Sequence, residues 1–236
     1  MSYGMDYGLA AQSAESARAA FIRRTYAHLA GAILAFVAIE TVLVQMVTPN
    51  QVMQLLGTSR FSWLIVLVAF MGAGWLAQTW AQSETSVGLQ YLGLGLYVVA
   101  EAVIFLPLIL VAVYFYPNQN ILPTAGILTL AVFGGLTLSV FVTKKDYSAL
   151  RPVLCVGCLI ALGVIIAGVV LGFNLGLFFS FAMVALMSGY ILYYTSQVML
   201  HYRTDQHVAA ALALFAAVAT LFWYILRIVM AFSNRD

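Results

Sequence analysis

Apolar positions in this chain are gathered into long uninterrupted runs, with none of the short alternation that marks a half-buried strand, and a run of about 20 residues lets an α-helix cross a bilayer. Seven runs reach that length: Tyr26 to Val47, Ser62 to Trp80, Leu89 to Tyr116, Ile121 to Thr143, Pro152 to Leu171, Leu175 to Gln197 and Val208 to Phe232. Charged residues, Pro, Asn or Gly end each one. The pattern predicts an all-α integral membrane protein, a bundle of seven transmembrane helices forming one domain over residues 25–236 after a polar tail over 1–24. The connections Pro117 to Asn120 and Gly172 to Asn174 are short enough to predict antiparallel hairpins. Ser2 to Gly8 (SYGMDYG) has no periodicity, and the stretch up to Arg24 reads as a loose tail or as an amphipathic lead-in at the membrane surface. The first apolar run starts too far in to be the core of a cleavable signal peptide.

Small residues at four-residue spacing let helices approach closely in lipid. The last run carries Ala209, Ala213 and Ala217, widened by Ala210, Ala211, Ala216 and Ala219, which predicts a small-residue-rich last helix near the centre of the bundle. Gly168 and Gly172 offer a second contact of the same kind. Pro107, inside the third run, predicts a kink.

Composition sharpens this picture: 64% of the 236 residues are apolar and 8% charged, against roughly a quarter charged in ordinary soluble domains. No stretch is left from which a separate aqueous domain could be built. The net charge of +2 is no footprint for nucleic acid. The charges report on topology instead, because the side keeping more Lys and Arg faces the cytoplasm. With the N-terminus inside, the inner segments hold Arg18, Arg23, Arg24, Lys144, Lys145, Arg151 and Arg203, while the outer ones hold Arg60 and Arg235. Seven spans then place the C-terminus outside.

Most enzyme classes lack their residues here. His28, His201 and His207 avoid the middle of every span, no H-E-x-x-H or G-x-S-x-G occurs, and both lysines share one loop, so a retinal-type Schiff base has no partner. Cys155 and Cys158 form a C-x-x-C without two further zinc ligands nearby and read as small buried apolar residues. No catalytic, cofactor or metal residues are assigned. What remains are ionisable groups inside the spans, which are costly there and mark function by default. They are Glu40, Glu101 and Arg227. Glu40 and Glu101 read as lying at similar depth; two like charges close together in a dry site cannot both persist, so a close pair would share a proton. Arg227 lies about one turn from the end of its span, either bridging to Glu40 or snorkelling to the interface.

Four segments in order carry a resemblance: TLAVFGGLTLSVFVTKKDYSAL (Thr129 to Leu150), VVAEAVIFL around Glu101, SGYILYYTSQ (Ser188 to Gln197) and AALALFAAVATLFWYILRI (Ala210 to Ile228). Together they resemble the transmembrane Bax-inhibitor-motif family and its bacterial inner-membrane relatives. The resemblance implies a seven-helix bundle with a central last helix, a bacterial cytoplasmic membrane location, and a proton-sensitive calcium leak built around two aspartates. Those aspartates would fall at Tyr194 and Ala217, with Thr220 in place of an Asn, and a phenol and a methyl group cannot hold a shared proton between carboxylates. Two functions are therefore expected: a leak for Ca²⁺ or protons with Glu101 titrating and Tyr194 filling the space of the lost aspartate, or a non-transporting membrane regulator that binds membrane proteins such as a quality-control protease.

Overall fold

The structure is a computed structural model describing residues 9–11, 13–56, 62–84, 86–117 and 120–233. Its helices are α1 (Glu15–Met46), α2 (Pro49–Leu56), α3 (Ser62–Ala81), α4 (Val87–Phe115), α5 (Ile121–Thr143), α6 (Arg151–Leu171), α7 (Gly176–Leu200) and α8 (His207–Ser233), with one 3-10 turn at Ser148–Leu150. Seven of these are long and apolar enough to cross a membrane, in the order the sequence predicts. The addition is the short α2. Among the described residues there is no strand, only an isolated antiparallel bridge between Leu9 and Arg203. Residues 1–8, Arg60 and Arg235 lie outside the described residues, and with them part of the expected tail and both outer charges.

The last spanning helix is the centre of the protein. In its most apolar stretch 78% of residues are buried, against 11–44% for the other spans. It packs on α1, α4, α5 and α7. Alanine makes this possible: Ala210, Ala211 and Ala213 bring the neighbouring backbones close, while Leu212, Leu214, Phe215, Leu221 and Leu226 fill the gaps at 1% exposure or less. A helix apolar all round belongs inside.

The outer helices bury narrow stripes. On α1 the stripe is Phe21, Thr25, Leu29, Ala32, Phe36 and Glu40, at helical spacing of three and four. Because it runs upstream through Phe21, α1 starts at Glu15 rather than at Tyr26. The segment before α1 is docked too, since the Ala10 amide donates to the Tyr202 carbonyl at 3.0 Å and Ala10 is fully buried. Helices α3 and α4 cross most tightly at Gly93, where an added methyl would lie 2.5 Å from the Ala77 carbonyl oxygen and 2.7 Å from the Ala81 nitrogen.

Two expectations change. Gly172 is not a helix contact: it ends α6 in the left-handed region (φ 76°), its amide donating to the Gly168 carbonyl at 2.9 Å. Cys155 and Cys158 are not buried; α6 turns both outward, and its apolar surface on every side left their facing unmarked. Pro107 sits inside α4, which runs as one helix from Val87 to Phe115.

Candidate functional site

Glu101 reaches the interior because α4 buries a strict stripe, Leu94, Val98, Glu101, Phe105 and Ile109, and the carboxyl occupies one step of it at 3% exposure. Tyr97, one turn earlier on the same helix, hydrogen-bonds its carboxyl. Glu40 is turned inward by the α1 stripe in the same way, at 5% exposure.

The two carboxylates do not converge. Glu101 lines a cavity of about 520 Å³ bounded by α3, α4, α6, α8 and the Phe173–Leu175 turn. Glu40 lines another, of about 530 Å³, between α1, α4, α5 and α8. Aromatic rings stand between them: Phe36 meets Phe105 edge-to-face at 5.1 Å, Phe36 meets Phe215 at 6.2 Å, and Phe105 stacks on Phe222 at 5.9 Å. Glu40 and Glu101 therefore cannot share a proton directly.

Arg227 goes with Glu101, not with Glu40. It lines the Glu101 cavity together with Asn174 and Thr220. Among the described residues it makes no ion pair with either glutamate, those found being His201–Asp146, Arg203–Glu84 and Arg203–Asp205. The bridge from Arg227 to Glu40 is thus not formed. Among the described residues neither carboxyl belongs to a group of three or more His, Cys, Asp or Glu that could hold a metal ion.

Tyr194 and Ala217, where the resemblance places two aspartates, are respectively half-buried on α7 and 4% exposed on α8. Tyr194 stacks on Tyr190 at 5.6 Å and lies near enough to Tyr97 to interact with it electrostatically. Thr220 turns its hydroxyl back onto the Ala216 carbonyl at 2.9 Å.

At the end of the bundle where α5 stops and α6 begins, the structure shows a clamp that spacing alone does not reveal. Lys144 ends α5 in the left-handed region at φ 52°. Asp146 then accepts from the Ser148 hydroxyl at 2.6 Å and amide at 2.8 Å with one oxygen, and faces His201 Nε2 at 2.9 Å with the other. Gln197 donates to the Ser148 hydroxyl at 2.8 Å. The Ser148 hydroxyl, with help from His201, holds the Asp146 carboxyl down at about 2. Near the same end, His28 Nδ1 lies 2.6 Å from the Arg24 carbonyl and so carries a proton; its Nε2 is 3.0 Å from the Tyr91 hydroxyl, and its ring is 4.9 Å from that of His207. The signal for Tyr97 was available, a tyrosine one turn before a glutamate; that for the clamp was not, since His201 is 55 residues from Asp146.

A family model described as inhibitor of apoptosis-promoting Bax1 matches residues 18–234, all seven spans. The chain belongs to the Bax inhibitor family. It is 26% identical over 188 residues to an uncharacterised protein of Neisseria meningitidis serogroup A, covering 76% of this chain and 78% of that one, and to a serogroup B protein to the same extent. No solved structure matches it significantly. Inside this chain's bundle the two buried carboxyls among the described residues are Glu101 and Glu40.

Proposed function

We propose that this Bax inhibitor family protein is a non-enzymatic, proton-sensitive leak in the cytoplasmic membrane, with Glu101 as the group that gains and loses a proton to gate it. The observation that carries the reading is the shared cavity: a buried carboxyl and Arg227 face one space that runs to the Phe173–Leu175 turn, with Tyr97 on the carboxyl's other side. A proton on Glu101 changes its long-range attraction to Arg227 across the cavity and its bond to Tyr97 together, and so bears on how α4 and α8 face that space. The lining favours the proton over Ca²⁺ as the ion, because Ca²⁺ takes six to eight oxygens and this space offers one carboxylate beside a guanidinium. The orientation consistent with this reading puts the N-terminus in the cytoplasm, on the side of Arg23, Arg24, Lys144, Lys145 and Arg203.

The test is proton and Ca²⁺ flux into liposomes holding the purified protein, between about pH 5 and pH 8. Flux that varies with pH, and that loses this variation in Glu101→Gln, is the expected result. Flux identical in the two proteins would overturn the assignment.

One observation favours a second reading. Tyr194 and Ala217 leave the family's aspartate device unbuilt, which fits a non-transporting regulator that binds other membrane proteins. That reading expects no flux at any pH and a membrane protein that co-purifies equally with the parent and with Glu101→Gln.

A further inference from the structure

The cavity beside Glu40 is unlike the one beside Glu101. Its walls are hydrocarbon, from Phe36, Val44, Ile109, Leu122, Phe215 and Phe222, and Glu40 is the one ionisable residue on them. Both oxygens of that carboxyl are buried and have no hydrogen-bond partner among the described residues. A carboxyl held in apolar surroundings without a partner is a costly arrangement.

The walls have no donor free to relieve it. The Thr41 hydroxyl donates to the Val37 carbonyl and the Thr129 hydroxyl to the Ala125 carbonyl, each at 2.7 Å. Gln45, the remaining polar side chain on the lining, sits at the exposed end and does not bond the carboxyl. A donor to the charged carboxylate would therefore come from an occupant. The volume, about 530 Å³, falls within the range of small-molecule pockets, roughly 300 to 1,000 Å³. Val37 and Leu130 stand on the lining at 52% and 57% exposure, so the cavity is open toward the acyl chains and an occupant can enter from the bilayer.

We propose that this cavity binds a lipophilic amine, its ammonium N–H donating to Glu40 and its hydrocarbon tail lying along Phe36, Ile109, Phe215 and Phe222. The walls select for a tail, and the carboxylate selects for a cationic head over a hydroxyl or a bare chain, because in a site of low dielectric an opposite charge is its best partner. The site is separate from the Glu101 cavity and does not depend on the leak reading.

The experiment uses the full chain in phosphatidylcholine nanodiscs and a lipophilic carbodiimide, which adds to protonated carboxyls inside membranes. The rate of modification at Glu40 is followed by peptide mass spectrometry, with N,N-dimethyldodecylamine as the probe, 1-dodecanol as the control of matched tail, and Glu40→Gln to identify the modified peptide. The amine is expected to slow modification about tenfold when present at roughly ten times its dissociation constant, with little effect from the alcohol. The same protection is expected in Glu101→Gln, so failure of the leak reading leaves this result intact. Repeating the assay with phosphatidylethanolamine in the discs and no added amine distinguishes the source: slowing there assigns the ammonium to a bilayer lipid, and no slowing assigns it to a free amine. Equal protection by amine and alcohol would reduce the cavity to a slot for acyl chains and overturn the proposal. So would the absence of protection, or a Glu40 that the carbodiimide never reaches.

Discussion

Two glycines on one helix give a test in which most unknowns cancel. Gly93 and Gly95 both lie in α4, but a methyl added at Gly95 meets nothing within 4 Å, while one at Gly93 would stand 2.5 Å from the Ala77 carbonyl oxygen of α3. Ordinary contact begins at 3.4 Å, so Gly93→Ala requires α3 and α4 to part by roughly 0.9 Å, or their backbones to bend by as much. The helix-propensity gain of Gly→Ala, about 0.5 to 1 kcal/mol, is common to both variants and drops out of their difference. What remains is overpacking against backbone, which costs about 1 to 3 kcal/mol. At roughly 2 to 4 °C per kcal/mol for a chain of this size, Gly93→Ala should melt about 2 to 12 °C below Gly95→Ala. Apparent melting temperatures of the two proteins, purified in one detergent and read by tryptophan fluorescence, measure it. If the two melt together, α3 and α4 do not meet at Gly93 and the packing argument fails.

Other consequences can be checked as directly. Phe215→Ala empties a side chain of 1% exposure that touches the rings of Phe36 and Tyr97, and should cost about 3 to 5 kcal/mol, seen as a large fall in apparent melting temperature. The Asp146 carboxyl is lowered from 3.8 to about 2 by Ser148 and His201, so the clamp is at full strength above about pH 4 and fails as pH drops toward 2. A spin label at Ala149 should become mobile over that window, and should already be mobile at neutral pH in Asp146→Asn; equal mobility in both proteins would refute it. Restoring aspartates with Tyr194→Asp and Ala217→Asp together should produce Ca²⁺ flux in liposomes beyond that of the parent, and no gain would mean that these are not the positions of the lost pair.

The spans and the centrality of α8 were legible because each rests on a signal carried by consecutive residues: length and apolarity for the spans, alanine spacing for α8. Rotation about the helix axes was not legible. Hydropathy leaves it open in a helix apolar on all sides, which is why the sequence leaves Arg227 between Glu40 and the interface although α8 turns it to the Glu101 cavity, and why it reads Cys155 and Cys158 as buried although α6 exposes both. On α1 the charges of Arg18, Arg23 and Arg24 masked a helix whose stripe, followed back from Leu29 through Thr25 to Phe21, was already written at four-residue steps. The docking of Ala10 on the Tyr202 carbonyl joins segments far apart in the chain, and no local pattern announces it.

The helix around which the others assemble is also the one a ribosome delivers after them. Until α8 enters the bilayer, α1 and α4 present stripes bearing Glu40 and Glu101 to a space that α8 has yet to fill. A half-made chain therefore shows acidic groups to lipid or to the insertion machinery, and the contacts between α1 and α8, the most distant in sequence among the spans, close only once α8 has been made. Assembly of this bundle is finished from the inside, so a chain stalled before His207 is a ring without an axle, marked as incomplete by the carboxyls it leaves in view.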